Sequence, residues 1–275
     1  MLPYRQKQAD MFSTNRIRQR MGRMKFSQPL GNRKYNTPDG DINACVPSLF
    51  WQMVWSRKAC NLKRECSYVI DGYHFITEPQ YHELIRQVIV PMNLQPGNTL
   101  LECGCGSGAF LQAAKLAFPG LQLFGVDYAE PMLEVARTRM PEVRFFSGDI
   151  RNLSGIEDEC FDHTAAFAVL CYLNNVGEAG QALDELVRVT RAGGCIFLGD
   201  TSDAGKRAEA MQLLREIWHP RAIPDYLFLE KDFFRRYAAA RKLTIRIIDM
   251  DQPDLDWYPP RSLRYGVYLY KLRRS

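Results

Sequence analysis

The chain predicts an α/β fold, a doubly wound and largely parallel sheet with helices on both faces. Short apolar runs at Thr99–Glu102, Leu121–Asp127, Val143–Phe146, Phe161–Leu170 and Cys195–Gly199 read as strands. Helical patterns at Ala109–Ala117, Pro131–Met140 and Gln181–Thr190 lie between them, and strands joined through helices pair in parallel and bury both faces. Two late runs, Thr244–Met250 and Tyr265–Leu272, are joined by a Pro-rich stretch with no helical pattern. That connection favours an antiparallel pair at the end of the sheet.

Ahead of the sheet the chain divides by composition. Residues 1–45 have little periodicity and turn residues such as the "NTPDGD" of 36–41, and they form a basic N-terminal arm. Residues 1–36 hold nine Lys or Arg against the single acid Asp10, so the rest of this +5 chain is net acidic. Such an arm is an RNA-binding or anionic-surface segment, an organelle-targeting peptide, or a solvated flap over a substrate. Residues 46–76 turn aromatic, with Phe50, Trp51, Trp55, Tyr68, Tyr73 and Phe75, and read as a lid. The catalytic domain is expected over 77–275. It opens on a helix in "TEPQYHELIRQVI", where Thr77 and Gln80 form a capping box and Tyr81, Leu84, Ile85, Val88 and Ile89 make one apolar face.

With 275 residues and 46% apolar composition the chain has material for a real core. No run approaches a membrane span, and the N-terminus lacks the apolar stretch of a secretory signal. The eight cysteines form no C-x-x-C knuckles with histidines behind them, which suits reduced thiols in a cytoplasmic protein better than disulfides or zinc. Cys103 and Cys105 have no further ligand nearby in sequence, so packing is expected of them and no metal.

The chemistry concentrates in "LLECGCGSGAF", Leu100 to Phe110. Glycines 104, 106 and 108 sit where the first strand turns into a helix, at the end of the sheet where such folds bind ligands. Asp127 follows Gly108 by 19 residues, at the tip of the second strand, where a carboxylate takes a ribose diol. A dinucleotide satisfies these features as well. Glu102, directly before the loop, tips the balance, because its charge repels a pyrophosphate and attracts a sulfonium or ammonium. Asp149, at the third strand tip in "FFSGDI", adds an acceptor suited to an adenine amine.

With "LLECGCGSG", "FGVDYAEPMLEVAR", "VRFFSGDIRNL", "FDHTAAFAVLCYL" and "LVRVTRAGGCIFLGD" in order, the chain resembles the class I S-adenosylmethionine-dependent methyltransferases over about Thr77 to Leu272. The resemblance implies a Rossmann-like, seven-stranded sheet whose last strand runs antiparallel, with an acceptor-side insert after strand 5 at about 201–229. It implies S-adenosylmethionine as cofactor, with Glu102, Gly104, Gly106 and Gly108 at the methionine end and Asp127 on the ribose. Tyr128, Asp149 and Ile150 are then expected around the adenine, and Ala168 at the end of the fourth strand beside the cofactor.

That fourth tip, "AVLCYL", implicates Cys171 and Tyr172 beside the acceptor, where many relatives carry histidine or polar residues. Tyr73 and His74, in "DGYHF", lie where such folds close over the cofactor and are catalytic candidates with Tyr172. His82 falls off the apolar face of its helix, His163 opens the fourth strand at the wrong end for chemistry, and His219 lies in the insert. Trp51, Trp55, Tyr73, Trp218 and Trp257 either shape an apolar or cation-accepting pocket or form the lid's core. The expected reaction is in-line methyl transfer to a small-molecule acceptor. Two readings stand beside it: an RNA or protein methyltransferase that holds its substrate through residues 1–36, and a non-catalytic cofactor-binding subunit. A dehydrogenase ranks last, because the acids suit it poorly. The sequence leaves the acceptor and the oligomeric state open.

Overall fold

The computed structural model describes residues 46–62, 64–217, 226–250 and 261–273. The basic arm 1–45, Trp218, His219 and Trp257 lie outside them. Before the sheet come helix α1 (Val46–Leu62), the single turn α2 (Ser67–Ile70) and α3 (Glu78–Ile89). The last begins as its sequence dictates. Thr77 accepts from the Gln80 N–H at 3.4 Å while the Gln80 side chain accepts from the Thr77 N–H at 2.9 Å, which satisfies two amides that otherwise have no helical partner.

The sheet then alternates with helices: β1 (Thr99–Cys103), α4 (Ala109–Ala117), β2 (Gln122–Asp127), α5 (Glu130–Arg139), β3 (Arg144–Ser147), β4 (Phe161–Phe167), α6 (Val176–Val189) and β5 (Thr190–Ser202). After α7 (Arg207–Ile217) and α8 (Lys231–Ala240), β6 (Thr244–Asp249) and β7 (Arg264–Tyr270) close it. The strand order is β3-β2-β1-β4-β5-β7-β6. The first five strands are parallel, and β7 inserts antiparallel between β5 and β6. The α/β class, the seven strands and the antiparallel last strand are as the sequence predicts.

Two cores sandwich the sheet, and the pleat sorts residues between them. Along β1, Leu100 faces the side covered by α3, α4 and α5, whereas Leu101 and Cys103 face α6 and α8. Along β5, Cys195 and Phe197 take the first side, Ile196 and Leu198 the second. The chain runs outward from β1 to β3 and then returns to β4 on the other side. This switch point opens a crevice at the carboxyl ends of β1 and β4.

Three boundaries depart from the sequence reading. Strand β4 ends at Phe167 rather than Leu170, because Ala168 turns left-handed (φ 57°) and Leu170–Tyr172 winds into a short helical turn. Helix α6 begins at Val176, five residues early, where Asn175 caps it by accepting from the Glu178 N–H at 3.0 Å. Strand β5 runs 13 residues where five were expected. Its first part, "TRAGG", looks like a turn, but a Cβ on Gly194 would lie 2.2 Å from the Asp162 carbonyl oxygen, so glycine lets two backbones pair there.

Candidate active site at the switch point

The crevice is a cleft partly open to solvent. Its floor is the loop from β1 to α4, and three carboxylates converge there. Glu102, one residue before the end of β1, has 2% of its surface exposed, and its Oε2 is buried without a hydrogen-bond partner. Burial, reinforced by Asp71 and then Asp127, pushes its carboxyl well above the ordinary range. Asp127, at the tip of β2, is clamped by backbone: Oδ2 accepts from the Gly106 N–H and Oδ1 from the Ala129 N–H, both at 2.8 Å. Burial raises its pKa to about 6.

Gly104 and Gly106 have φ of 76° and 53°, and both lie against side chains. A Cβ on Gly104 would meet Val169 Cγ2 at 2.4 Å, and one on Gly106 would meet Asp71 Oδ1 at 2.7 Å. The loop can follow this path only without side chains. Gly108 caps α4 (φ 86°) and does not line the cleft.

Beyond the floor, Tyr128, Asp149, Ile150 and Ala168 line the cleft. Asp149 has a partner that the sequence reading did not foresee. Arg151 Nε donates to both of its oxygens at 3.0 Å and Arg151 Nη2 to Oδ2 at 2.5 Å. Although burial opposes it, these bonds lower the Asp149 pKa. Arg151 also reaches Glu178 at 2.9 Å. The Arg151 backbone N–H also donates to Oδ1 at 2.9 Å, so Arg151 engages both Asp149 oxygens.

The facing wall is aromatic. Trp55, Tyr73, Tyr81, Phe110, Phe167 and Tyr172 line it. Tyr172 packs edge-on against Trp51 and Trp55 at 4.6 and 5.5 Å, and Tyr226 of the insert stacks on Trp51 at 5.3 Å. The insert is tied here by the Leu227 N–H donating to the Cys171 carbonyl at 2.9 Å. Tyr73 lies against Phe167 and donates its hydroxyl to Asp200 Oδ2 at 3.0 Å. Asp200 is itself left-handed (φ 53°) where the β5–β7 register shifts.

His74 does not line the cleft. Its ring sits edge-on to Phe75 with Nδ1 buried and unpartnered, and burial lowers its pKa. Cys171 and Tyr172 are poor proton acceptors, because burial raises the thiol to about 12 and the phenol well above its usual value. His163 packs far from the tips: its Nδ1 accepts from the Cys195 N–H and Nε2 faces Asn98. Among the described residues no group of side chains is arranged to hold a metal.

One site residue escaped the sequence altogether. Asp71, just after α2, accepts from the Ser107 N–H with Oδ1 at 2.9 Å and from the Ala109 N–H with Oδ2 at 3.2 Å. Nothing local distinguishes Asp71-Gly72 from an ordinary turn, and its partners lie 36 and 38 residues away.

These residues fit a cationic nucleoside ligand. The cleft holds the acids and the orphaned Glu102 oxygen that a cation would satisfy, and it has an apolar wall for a flat ring. Residues 101–198 match the family model described as "Methyltransferase domain". A demethylmenaquinone methyltransferase of Paenarthrobacter aurescens is 32% identical over 117 residues, 42% of this chain and 44% of that protein. A malonyl-[acyl-carrier protein] O-methyltransferase of Yersinia pestis is 31% identical over 176 residues, 62% of this chain and 55% of that protein. The chain thus spans about half the length of these curated relatives.

The structure of geranyl diphosphate C-methyltransferase from Streptomyces coelicolor, which holds S-adenosyl-L-homocysteine, has a TM-score of 0.55 at 14% identity. The match covers 69% of this chain and 79% of that one. Residues 101–198 thus match a methyltransferase domain, and the motifs in order, the strand order and the carboxylates at the strand tips are the features by which the chain resembles the class I S-adenosylmethionine-dependent methyltransferases.

Proposed function

We propose that the protein transfers a methyl group from S-adenosylmethionine to a small, flat, largely apolar acceptor. The observation that carries this reading is the unpartnered, buried Glu102 oxygen in one cleft with Asp127, opposite a wall of aromatic rings. The cofactor supplies an electrophilic methyl carbon with a neutral thioether as leaving group. Glu102 and the Gly104–Gly106 backbone bind its amino-acid end, Asp127 the ribose, and Tyr128, Asp149 and Ile150 the adenine, with Ala168 alongside. Trp55, Tyr73 and Tyr172 orient the acceptor and exclude water from the line of attack. Positioning of this kind is worth several powers of ten in rate. Tyr172 serves by shape, because its phenol holds its proton at neutral pH. Tyr73, oriented by Asp200, is the polar group on the acceptor side.

In this reading residues 46–76 form the lid and 77–275 the methyltransferase domain. The relatives named for demethylmenaquinone and for an acyl-carrier malonyl group support an acceptor that is not nucleic acid. Methylation of RNA or protein through the basic residues 1–36 is the second reading, carried by that charge alone. The seven cysteines among the described residues are free, and no described helix is long and apolar enough to cross a membrane. Both observations support the cytoplasm as its compartment.

The test incubates the full chain with methyl-labelled cofactor and a panel of quinols, phenols, amines, acyl thioesters, RNA and protein. Label in a flat small molecule is expected. Label confined to RNA or protein, and lost when residues 1–36 are removed, would replace this reading with the second. No label anywhere, despite tight cofactor binding, would make the chain a non-catalytic binding subunit.

A further inference from the structure

The segment before the sheet is fastened to the glycine loop itself. Ser67 Oγ donates to the Ser107 carbonyl and Ser107 Oγ donates back to the Ser67 carbonyl, both at 3.1 Å. Arg139 Nη1 donates to Ser67 Oγ at 2.7 Å. Next in line, Asp71 takes the Ser107 and Ala109 amides. The two amides go to different oxygens, so an asparagine, with one acceptor oxygen, would keep one of the two bonds. This carboxylate adds charge to a space that already holds Glu102 and Asp127; the cation acting on it is Lys58, and the Glu102 oxygen still has no partner. The start of α4 favours one negative charge, but it leaves the Glu102 oxygen unsatisfied.

Asp71 and Asp127 are built alike. Each accepts from backbone amides of the loop or the neighbouring turn, each lies against Gly106, and each lines the cleft. Asp127 serves the nucleoside side. Asp71 belongs to the compartment of Glu102, on which it acts more strongly than Asp127 does.

We propose that Asp71 is a cofactor-binding residue, its carboxylate taking the ammonium of the donor's amino-acid arm beside Glu102. The inference rests on the cofactor reading above. It makes residues 65–71 a wall of the cofactor site, so that this segment is ordered before any acceptor arrives.

Calorimetry with two probes tests it on the full chain. S-Adenosylhomocysteine carries the ammonium but no sulfonium, and 5′-methylthioadenosine keeps the nucleoside and thioether but lacks the amino-acid arm. For Asp71→Asn the affinity for S-adenosylhomocysteine is expected to fall on the order of tenfold to a hundredfold, the loss of one charged hydrogen bond. Affinity for 5′-methylthioadenosine should change by less than about twofold. Unchanged affinity for S-adenosylhomocysteine, or an equal loss for both probes, would overturn the proposal. Wild-type protein that binds neither probe would instead overturn the cofactor reading beneath it. A crystal of wild-type protein with S-adenosylhomocysteine covers the case of a variant that does not fold. The amine nitrogen should stand within about 3.2 Å of an Asp71 oxygen, and a position beyond reach contradicts the assignment.

Discussion

On the sheet side of the cleft, Asp127 is pinned by Gly106 and Ala129 and Asp71 by Ser107 and Ala109, all through backbone amides at 2.8–3.2 Å. Across from them, Trp55 and Tyr172 line the cleft and are braced by the rings of Trp51 and Tyr226, the four coming from three distant parts of the chain. The first wall reads a fixed pattern of charge, in which the position of Asp127 follows from a strand end and a glycine loop. The second wall reads shape, and any residue of similar volume would adjust it. The acid wall therefore fixes charge, whereas the aromatic wall is where a change of side-chain volume would change the shape of the cleft.

The largest expected effect comes from Gly104→Ala. The new methyl would lie 2.4 Å from Val169 Cγ2 on a left-handed backbone, which costs roughly 1–2 kcal/mol in conformation alone. Binding of S-adenosylhomocysteine by calorimetry should fall by a hundredfold or more. Adding Val169→Ala should recover part of the loss, and a fully tolerated alanine would break the contrast between the walls.

Asp127→Asn comes next. It removes the charge while keeping the volume, and an expected loss of about tenfold to a hundredfold in cofactor affinity matches one charged hydrogen bond. The variant's melting curve should stay cooperative. Unchanged affinity would strip Asp127 of its assigned role.

Acidity should sharpen the comparison further. Burial raises Asp71 and Asp127 to about 6 in the empty site, and nearby Lys58, also desolvated, falls to about 8. Below pH 5 both carboxyls are protonated and attract a cation weakly. Affinity should therefore rise about tenfold or more between pH 5 and pH 7.5, below the range in which Lys58 loses its proton. The empty protein should show the opposite slope. It holds more protons than the unfolded chain between the ordinary carboxylate range and about pH 6, so thermal stability falls as pH rises through that window. A flat affinity profile would contradict the carboxylate cluster.

The smallest effect belongs to the aromatic wall. Tyr172→Phe should leave cofactor affinity and the pH–rate profile unchanged within about threefold, since a phenol held protonated offers no base. A shifted profile would return Tyr172 to proton transfer.

Much of the acid wall was legible in the sequence, because short-range rules govern it. The glycines at 104, 106 and 108 mark a left-handed path, and helix Ala109–Ala117 starts where that path releases the chain. Asp127 sits where a strand of fixed rise must end. What the sequence hid was set by packing and side-chain rotamers. Asp71 meets its partners across 36 residues, Arg151 turns back onto Asp149 through a side-chain rotamer, and His74 points away from the cleft that its neighbour Tyr73 lines. Strand β5 hid its first half behind two glycines, which in isolation spell a turn. Packing decided each of these, and periodicity carries no record of it.

The most direct test of the central claim, a cationic methyl donor held by strand-tip carboxylates, is titration of the wild-type chain with S-adenosylhomocysteine at pH 6.5. It should be run in two buffers of different ionisation enthalpy. One site per chain is predicted, with net proton release as the ammonium draws the raised carboxyls back towards their ordinary range. Absence of binding, or binding with proton uptake, would contradict it.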